Sequence, residues 1–244
     1  MREEVAMKIL GDVQSSYDEI AEDFSATRSG SWRETERFRS YVQPGDRLLD
    51  IGCGNGRAYQ LFRDAAIEYE GVDVSPELIN IARRLHPDIL ATFRVGSMLS
   101  LPYEDASFDV TTAVAVLHHI PSARLRRQAL AEAYRVLKPG GWLLLTNWDL
   151  WQPKRLKWLG RNVAAKLLGR SSLDWNDAMI PWKRGVAVPV MRYYHGFTLG
   201  ELNRLSRIAG FEIVSNVRSH DCRPGGDGNF VTVLRKPDGP AVAA

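Results

Sequence analysis

The stretch Leu48 to Arg57, LLDIGCGNGR, sets the terms for the rest of the chain. A short apolar run ends at Asp50, and glycines then alternate with other residues at Gly52, Gly54 and Gly56. The run reads as a buried parallel strand and the glycines as the tight turn at its carboxyl end. Glycine lets a backbone take positive φ and lets a ligand approach it closely. In an open α/β sheet such a turn is where a nucleotide-like ligand sits, although purely structural strand-to-helix corners also use one.

The surrounding pattern extends the α/β reading. Strands are expected at 47–51, 68–73, 89–95, 108–116 and 142–147. Helices are expected at 57–66, 75–85 and 122–137, and Ser75-Pro76 is a good start signal for the second of these. The alternation predicts a doubly wound, mostly parallel sheet with helices on both faces. A helix at 199–209 and strands at 211–219 and 229–235 add an antiparallel hairpin, giving seven strands. Two helices, 1–24 and 33–42, precede the first strand as a cap. The segment 150–195 breaks the rhythm and reads as a helical insertion. The expected organisation is thus a single domain over 1–236 with a cofactor-binding core at 46–149, followed by a disordered tail at 237–244.

The 244 residues carry a net charge of +3 and two cysteines, Cys53 and Cys222, with no CxxC pair that would suggest zinc or redox chemistry. The opening MREEVAMKIL lacks the apolar run of a secretory signal, and no stretch reaches the ~20 apolar residues of a membrane span. These features point to a cytoplasmic protein without a metal.

The glycine spacing is GxGxG, not the GxGxxG expected under a pyrophosphate, and no Walker lysine follows. Asp73 ends the second strand, where a carboxylate can accept two hydrogen bonds from ribose hydroxyls. Together these favour a ligand with ribose but no phosphate, and S-adenosyl-L-methionine has that character. Asp50 is placed to order the loop or to meet a ligand ammonium.

LLDIGCGNGR (48–57), EGVDVSPELI (70–79), SFDVTTAVAVLHHI (107–120) and RVLKPGGWLLLTNWD (135–149) resemble, in order and spacing, the class I S-adenosylmethionine-dependent methyltransferases. The resemblance implies that Gly52, Gly54 and nearby backbone hold the methionine part, that Asp73 binds the ribose, and that Ser97-Met98 flank the adenine. Asp50, Cys53, Asn55, Val74 and Ala115 complete the expected cofactor set. Gly96-Ser97 stands where the family often has Gly-Asp, and a serine hydroxyl accepts the adenine amino hydrogen less strongly than a carboxylate.

Outside the core, Tyr17, Thr27-Arg28, Trp32, His118-His119, Trp148 and Arg192-Tyr193-Tyr194-His195 are similar to the tRNA wobble-uridine methyltransferases that esterify a carboxymethyl group on uracil C5. This likeness runs over about 14–220, weakest at 151–191. It implies a tRNA substrate, and the family's eukaryotic members pair with a small zinc-binding activator at a sheet edge. The third strand is the expected edge here.

A carboxylate is already ionised at pH 7, so its methylation needs positioning and water exclusion rather than a strong base. Arg28 and Arg192 are the candidate clamps for it. Tyr17, Trp32, Tyr193 and Tyr194 are candidates to stack a flipped-out base, with Trp148 beside them, and His118 or His195 to hydrogen-bond the uracil edge. On a strand Tyr193 and Tyr194 point apart, so one need touch substrate, and adjacent His118 and His119 are not both expected to face the site.

Residues 151–192 hold nine basic residues and two acids, a local charge of +7. Leu156, Leu159, Val163 and Leu167 form an apolar stripe expected to dock on the domain. Lys154, Arg155, Lys157 and Arg161 would then face a phosphate backbone. Two other functions fit the same residues. One is a methyltransferase for a small or carrier-bound acid, with the basic segment as a lid. The other is a silent methyltransferase-fold subunit that binds RNA or a protein, against which the intact glycine turn and Asp73 argue.

Overall fold

A computed structural model describes residues 1–27, 33–87, 91–219 and 228–239. Before the first strand lie α1 (Glu3–Glu19), α2 (Ala21–Ala26) and α3 (Arg33–Glu36), the last running into a 3-10 turn at Arg37–Tyr41. The helix expected through residue 24 is therefore two helices, broken at Ile20 (φ −100°, ψ 6°). After β1 (Arg47–Ile51) the expected helix at 57–66 shrinks to α4 (Tyr59–Phe62), because the turn continues past Gly56 at φ +75°. Next come β2 (Glu68–Asp73), α5 (Pro76–Leu85), β3 (Ala91–Val95), β4 (Phe108–Val114), α6 (Ala123–Val136) and β5 (Leu137–Trp148). Helix starts follow the chemistry read in the sequence: Ser75 Oγ accepts the Leu78 N–H at 3.1 Å, and Pro76 fills the first turn.

The main sheet has the order β3-β2-β1-β4-β5, extended by β9 (Asn229–Arg235) and β8 (Glu212–Ser219). The first five strands are parallel, and β9 runs antiparallel to both β5 and β8. The expected seven-stranded sheet and closing hairpin are thus present. Leu48 and Leu49 send their side chains to opposite faces, one into a core with Phe38, Val110 and Leu144, the other into a core with Phe108, Leu130 and Leu145. Both faces are covered, as parallel strands require. Strand order reverses between β1 and β4, so their carboxyl ends part and leave a crevice for a ligand.

The insertion holds the expected helix, α7 (Pro153–Leu167), and also a separate two-stranded antiparallel sheet, β6 (Asp177–Trp182) with β7 (Val190–His195). The helix α8 (Leu199–Ile208) follows. The apolar stripe foreseen on α7 is not its docking face: Leu159 is buried, but Leu156 is 46% and Leu167 73% exposed. The inner face is partly polar instead. Asn162 Nδ2 donates to the Asp174 carbonyl (2.7 Å) and Lys166 Nζ to the Leu173 carbonyl (2.6 Å), so α7 caps the 171–174 loop while Leu159 packs on Leu150, Ala178 and Tyr194. Among the described residues no helix is long and apolar enough to cross a membrane.

Candidate active site

The crevice at the ends of β1 and β4 opens into a cavity of about 440 Å3. Asp50, Gly52, Gly54, Asp73, Val74, Ser97, Met98 and Ala115 line it, all expected from the sequence. Gly52 has φ +68°, and a Cβ there would collide with Val116, so a larger residue is excluded by backbone and by space. Asp73 Oδ2 accepts the Gly54 N–H and Oδ1 the Ser75 N–H, each at 2.9 Å. Each oxygen keeps a lone pair for a further donor, as ribose hydroxyls need. Burial raises the Asp73 pKa, and these two backbone hydrogen bonds work against that rise. Asp50 is buried, accepts from Tyr69 Oη and Thr112 Oγ1 at 2.6 Å each, and is pushed up to about 6 by burial.

Two members of the expected cofactor set lie outside the cavity lining. Cys53 is buried, with its Sγ against the Cα side of Gly71, and burial drives its thiol pKa up, away from reactivity. Asn55 is also buried. Its Nδ2 donates to Ser25 Oγ (2.9 Å) and its Oδ1 accepts the Arg57 N–H (3.3 Å), so it ties the glycine turn to α2.

The opposite wall comes from elements distant in sequence. Tyr17 on α1, His118 and His119 in the 3-10 turn after β4, Trp148 at the end of β5 and Arg192 on β7 all line the same cavity. Arg192 is only 4% exposed. Its Nη1 donates to Tyr17 Oη (3.2 Å), and its guanidinium carbon lies 4.9 Å from the Trp182 ring and 5.3 Å from that of Tyr194. Its Nε has no hydrogen-bond partner, and no carboxylate among the described residues pairs with it. A buried cation without a counter-ion is costly, and it is a feature expected at an anion-binding site.

Both histidines line the cavity, contrary to expectation: one 3-10 turn carries Leu117 to His119, and the two rings lie 4.5 Å apart on the same wall. His118 Nδ1 accepts the Trp148 N–H (3.3 Å), so its proton sits on Nε2, which has no partner. Burial, then the charges of its neighbours, hold His118 well below the ordinary imidazole range, so it is neutral. His119 bonds Tyr17 Oη through Nε2 and the Tyr193 carbonyl through Nδ1, both at 2.8 Å.

Other acceptor-side expectations are corrected. Tyr193 and Tyr194 are both buried and neither lines the cavity. Tyr193 packs with Ile9 and Val13 of α1, while Tyr194 stacks on His118 (5.2 Å, 17°) and Trp148 (4.8 Å, 20°) as a support. His195 is also outside the lining, held between Asp177 Oδ1 on Nδ1 (2.7 Å) and Glu201 on Nε2 (3.0 Å), so it ties β7 to β6 and α8. Lys154, Arg155, Lys157 and Arg161 are outside the cavity too, on α7. Arg155 lies 4.2 Å over the Trp148 ring, and Lys157 and Arg161 lie over Trp158. Arg28 and Trp32 fall outside the described residues.

The sequence reading missed the contribution of α1. Met7, Leu10, Gly11 and Gln14 line the cavity with Tyr17. Their spacing of three and four is helical and continues the Tyr17 face backwards, which is the signal that could have found them.

A family model described as a methyltransferase domain matches residues 49–145. A tRNA (carboxymethyluridine(34)-5-O)-methyltransferase of Schizosaccharomyces pombe is 30% identical over 228 residues, covering 86% of this chain and 92% of that protein. A protein of the same name from Arabidopsis thaliana is 36% identical over 136 residues, covering 56% of this chain but only 32% of that longer protein. Among solved structures, an S-adenosylmethionine-dependent methyltransferase from Methanosarcina mazei gives a TM-score of 0.70 at 24% identity, covering 82% of this chain and 97% of that one. A methyltransferase in complex with the Haloferax volcanii Trm112 methyltransferase activator gives 0.67 at 21% identity, covering 92% and 97%. At these identities the two structures speak for the fold alone. With the glycine turn, Asp73 and the reversed strand order already in place, the chain is an S-adenosylmethionine-dependent methyltransferase and belongs to the family of the tRNA (carboxymethyluridine(34)-5-O)-methyltransferases.

Proposed function

We propose that the protein esterifies the carboxylate of a carboxymethyl-type modified wobble uridine in tRNA. The observation that carries this reading is Arg192, a buried cation without a carboxylate partner among the described residues, in the same cavity as Asp50 and Asp73. S-adenosylmethionine, when bound, supplies an electrophilic methyl group on a sulfonium. The residues that fit it are the floor: Asp73 for the ribose, Gly52 and Gly54 where the backbone must be bare, and Asp50 beside them.

The rest falls to the wall. An acceptor carboxylate is ionised at neutral pH, so no residue need remove a proton. Arg192 holds one carboxylate oxygen and leaves the other as nucleophile. Its apolar and aromatic surroundings exclude water, which strengthens the contact. The Nε2–H of neutral His118 is free to donate to a carbonyl of the base. Lys154, Lys157 and Arg161, on the exposed side of α7, offer charge to the RNA backbone. A cytoplasmic location belongs to the same proposal. A small activator pairing along β3, the outer strand at the parallel edge of the sheet, belongs to the same reading and is supported by the activator complex of the Haloferax fold neighbour.

The test is methyl transfer by the purified protein to an anticodon stem-loop RNA carrying carboxymethyluridine, read by mass spectrometry of the nucleosides. Formation of the methyl ester is expected, and wobble-uridine esters should be lost from tRNA of a deletion strain. Turnover of small carboxylic acids with none on the RNA would overturn the tRNA assignment and leave an enzyme of small acids.

A further inference from the structure

The hydrogen-bond directions around His119 can be deduced one by one. The Tyr193 carbonyl oxygen only accepts, and it lies 2.8 Å from His119 Nδ1, so Nδ1 carries the proton. Burial and the nearby Arg192 charge push the His119 pKa down to about 3, so the ring holds one proton at neutral pH and Nε2 is a bare acceptor. Tyr17 Oη lies 2.8 Å from that nitrogen and must donate to it. The Tyr17 hydroxyl hydrogen is then committed, and the oxygen turns its lone pairs elsewhere. Arg192 Nη1, 3.2 Å away, can only donate, and it meets them.

We infer that His119 is a positioning residue: by fixing its own tautomer on the Tyr193 carbonyl it sets the direction of the Tyr17 hydroxyl, and so holds Arg192 aimed into the cavity. The chain of contacts closes on itself within the fold. Tyr193, which fixes His119, is the next residue along β7 from Arg192, so the strand that carries the guanidinium also anchors the ring that orients it. Packing agrees with a fixed ring. His119 stands edge-on to Tyr17 (5.3 Å, 80°) and lies 4.6 Å from Tyr194 and 4.5 Å from His118. The titratable and charged groups around it are therefore Tyr17, Tyr194, His118 and Arg192. A hydroxyl free to rotate would spend part of its time with its hydrogen toward the guanidinium, a repulsive arrangement that would tilt Arg192 away. The importance of that tilt for catalysis rests on the assignment of Arg192 to the acceptor carboxylate; the tautomer itself does not.

Two measurements on the full chain test this. The first is the 15N NMR spectrum of the histidine rings, with His119 identified by its absence in His119→Gln. The Nδ1–H tautomer is expected to persist from about pH 6 to about pH 8. An Nε2–H tautomer or an imidazolium in that range would overturn the inference whatever the acceptor is. The second is single-turnover methyl transfer to carboxymethyluridine RNA at saturating cofactor. His119→Phe keeps a ring but not the acceptor nitrogen, and should slow transfer about ten- to a hundredfold with cofactor affinity unchanged. His119→Gln, whose amide oxygen can take the hydroxyl hydrogen, should recover part of the loss. In a Tyr17→Phe background His119→Phe should add nothing, since it acts through that hydroxyl. Full additivity, or equal loss in His119→Phe and His119→Gln, would overturn the inference. Failure of the Arg192 assignment looks different: Arg192→Ala would then leave transfer intact while the Nδ1–H tautomer remains.

Discussion

The floor and the wall of the cavity are built by different means. The floor is mostly backbone: a glycine turn with bare Cα atoms and one carboxylate held by the N–H groups of Gly54 and Ser75. The two partners of Asp73 lie 2 and 19 residues from it along the chain. The wall is side chains that meet from afar. Tyr17 and Arg192 are 175 residues apart, and His119 and Tyr193 are 74. A floor of this kind suits a ligand common to many enzymes, since it recognises parts that do not vary. A wall of this kind can be altered without disturbing the sheet. The difference teaches that cofactor and acceptor are separable properties of this fold, and each of the following measurements can break that separation.

The largest effect is expected at Arg192. Arg192→Ala should reduce methyl transfer to the carboxylate about a thousandfold, the scale of losing a preorganised charged donor in a dry site, with cofactor affinity within a few-fold of the parent. Arg192→Lys should recover little, because a point charge does not reproduce the guanidinium plane. Rapid-quench transfer assays and calorimetric cofactor titration read the two quantities, and a pure loss of cofactor affinity would move Arg192 to the floor. Next comes Asp73→Ala. Removing a charged acceptor of the ribose should weaken cofactor binding by about 1.5–3 kcal/mol, roughly ten- to a hundredfold, with the rate at saturating cofactor largely kept. Unaltered binding would remove Asp73 from the floor.

A smaller effect is expected on α7. Replacing Lys154, Lys157 and Arg161 together by alanine should weaken RNA binding about tenfold and flatten its salt dependence by about two counterions, while a free nucleoside acceptor is methylated as before. An unchanged salt slope would detach α7 from the RNA. The mildest effect is pH. Asp50, pushed up to about 6 by burial, gains a proton as pH falls, which should remove the attraction proposed between it and the cofactor ammonium. Cofactor affinity should drop about fivefold between about pH 7 and about pH 5, and the drop should vanish in Asp50→Asn. Stability of the cofactor-free protein has the opposite sign. The folded state binds this proton more tightly than the unfolded one, so the contribution of Asp50 falls as pH rises from about 4 to about 6.

What could be read from the sequence divides along the same line. The floor was legible because its signals are local: an apolar strand, alternating glycines, an acid at the end of the next strand. The sheet was legible because strand and helix periods alternate. The β6–β7 sheet was not, since Pro181 inside β6 argues against a strand; with only two strands, both are edges, where a missing N–H is tolerated. The stripe on α7 misled because helical periodicity shows that a face exists, not which face docks. Here hydrogen bonds from Asn162 and Lys166 to loop carbonyls decided, leaving Leu156 and Leu167 outside. His195 was misplaced because residue type suggested catalysis, whereas Asp177 and Glu201 occupy both of its ring nitrogens.

Strand β7 carries Arg192 into the cavity, anchors His119 through the Tyr193 carbonyl and props Trp148 with Tyr194. One six-residue strand therefore sets most of the acceptor wall, and it lies in a small sheet of its own, apart from the seven strands that hold the floor. In evolutionary terms the insertion is a portable cassette. Exchanging 150–195 should change what the protein methylates only if the residue at position 17 changes in step, because that hydroxyl is where Arg192 meets the amino-terminal helix, beside the packing of Tyr193 on Ile9 and Val13. A chimera that moves the strand without its tyrosine should bind the cofactor and methylate nothing.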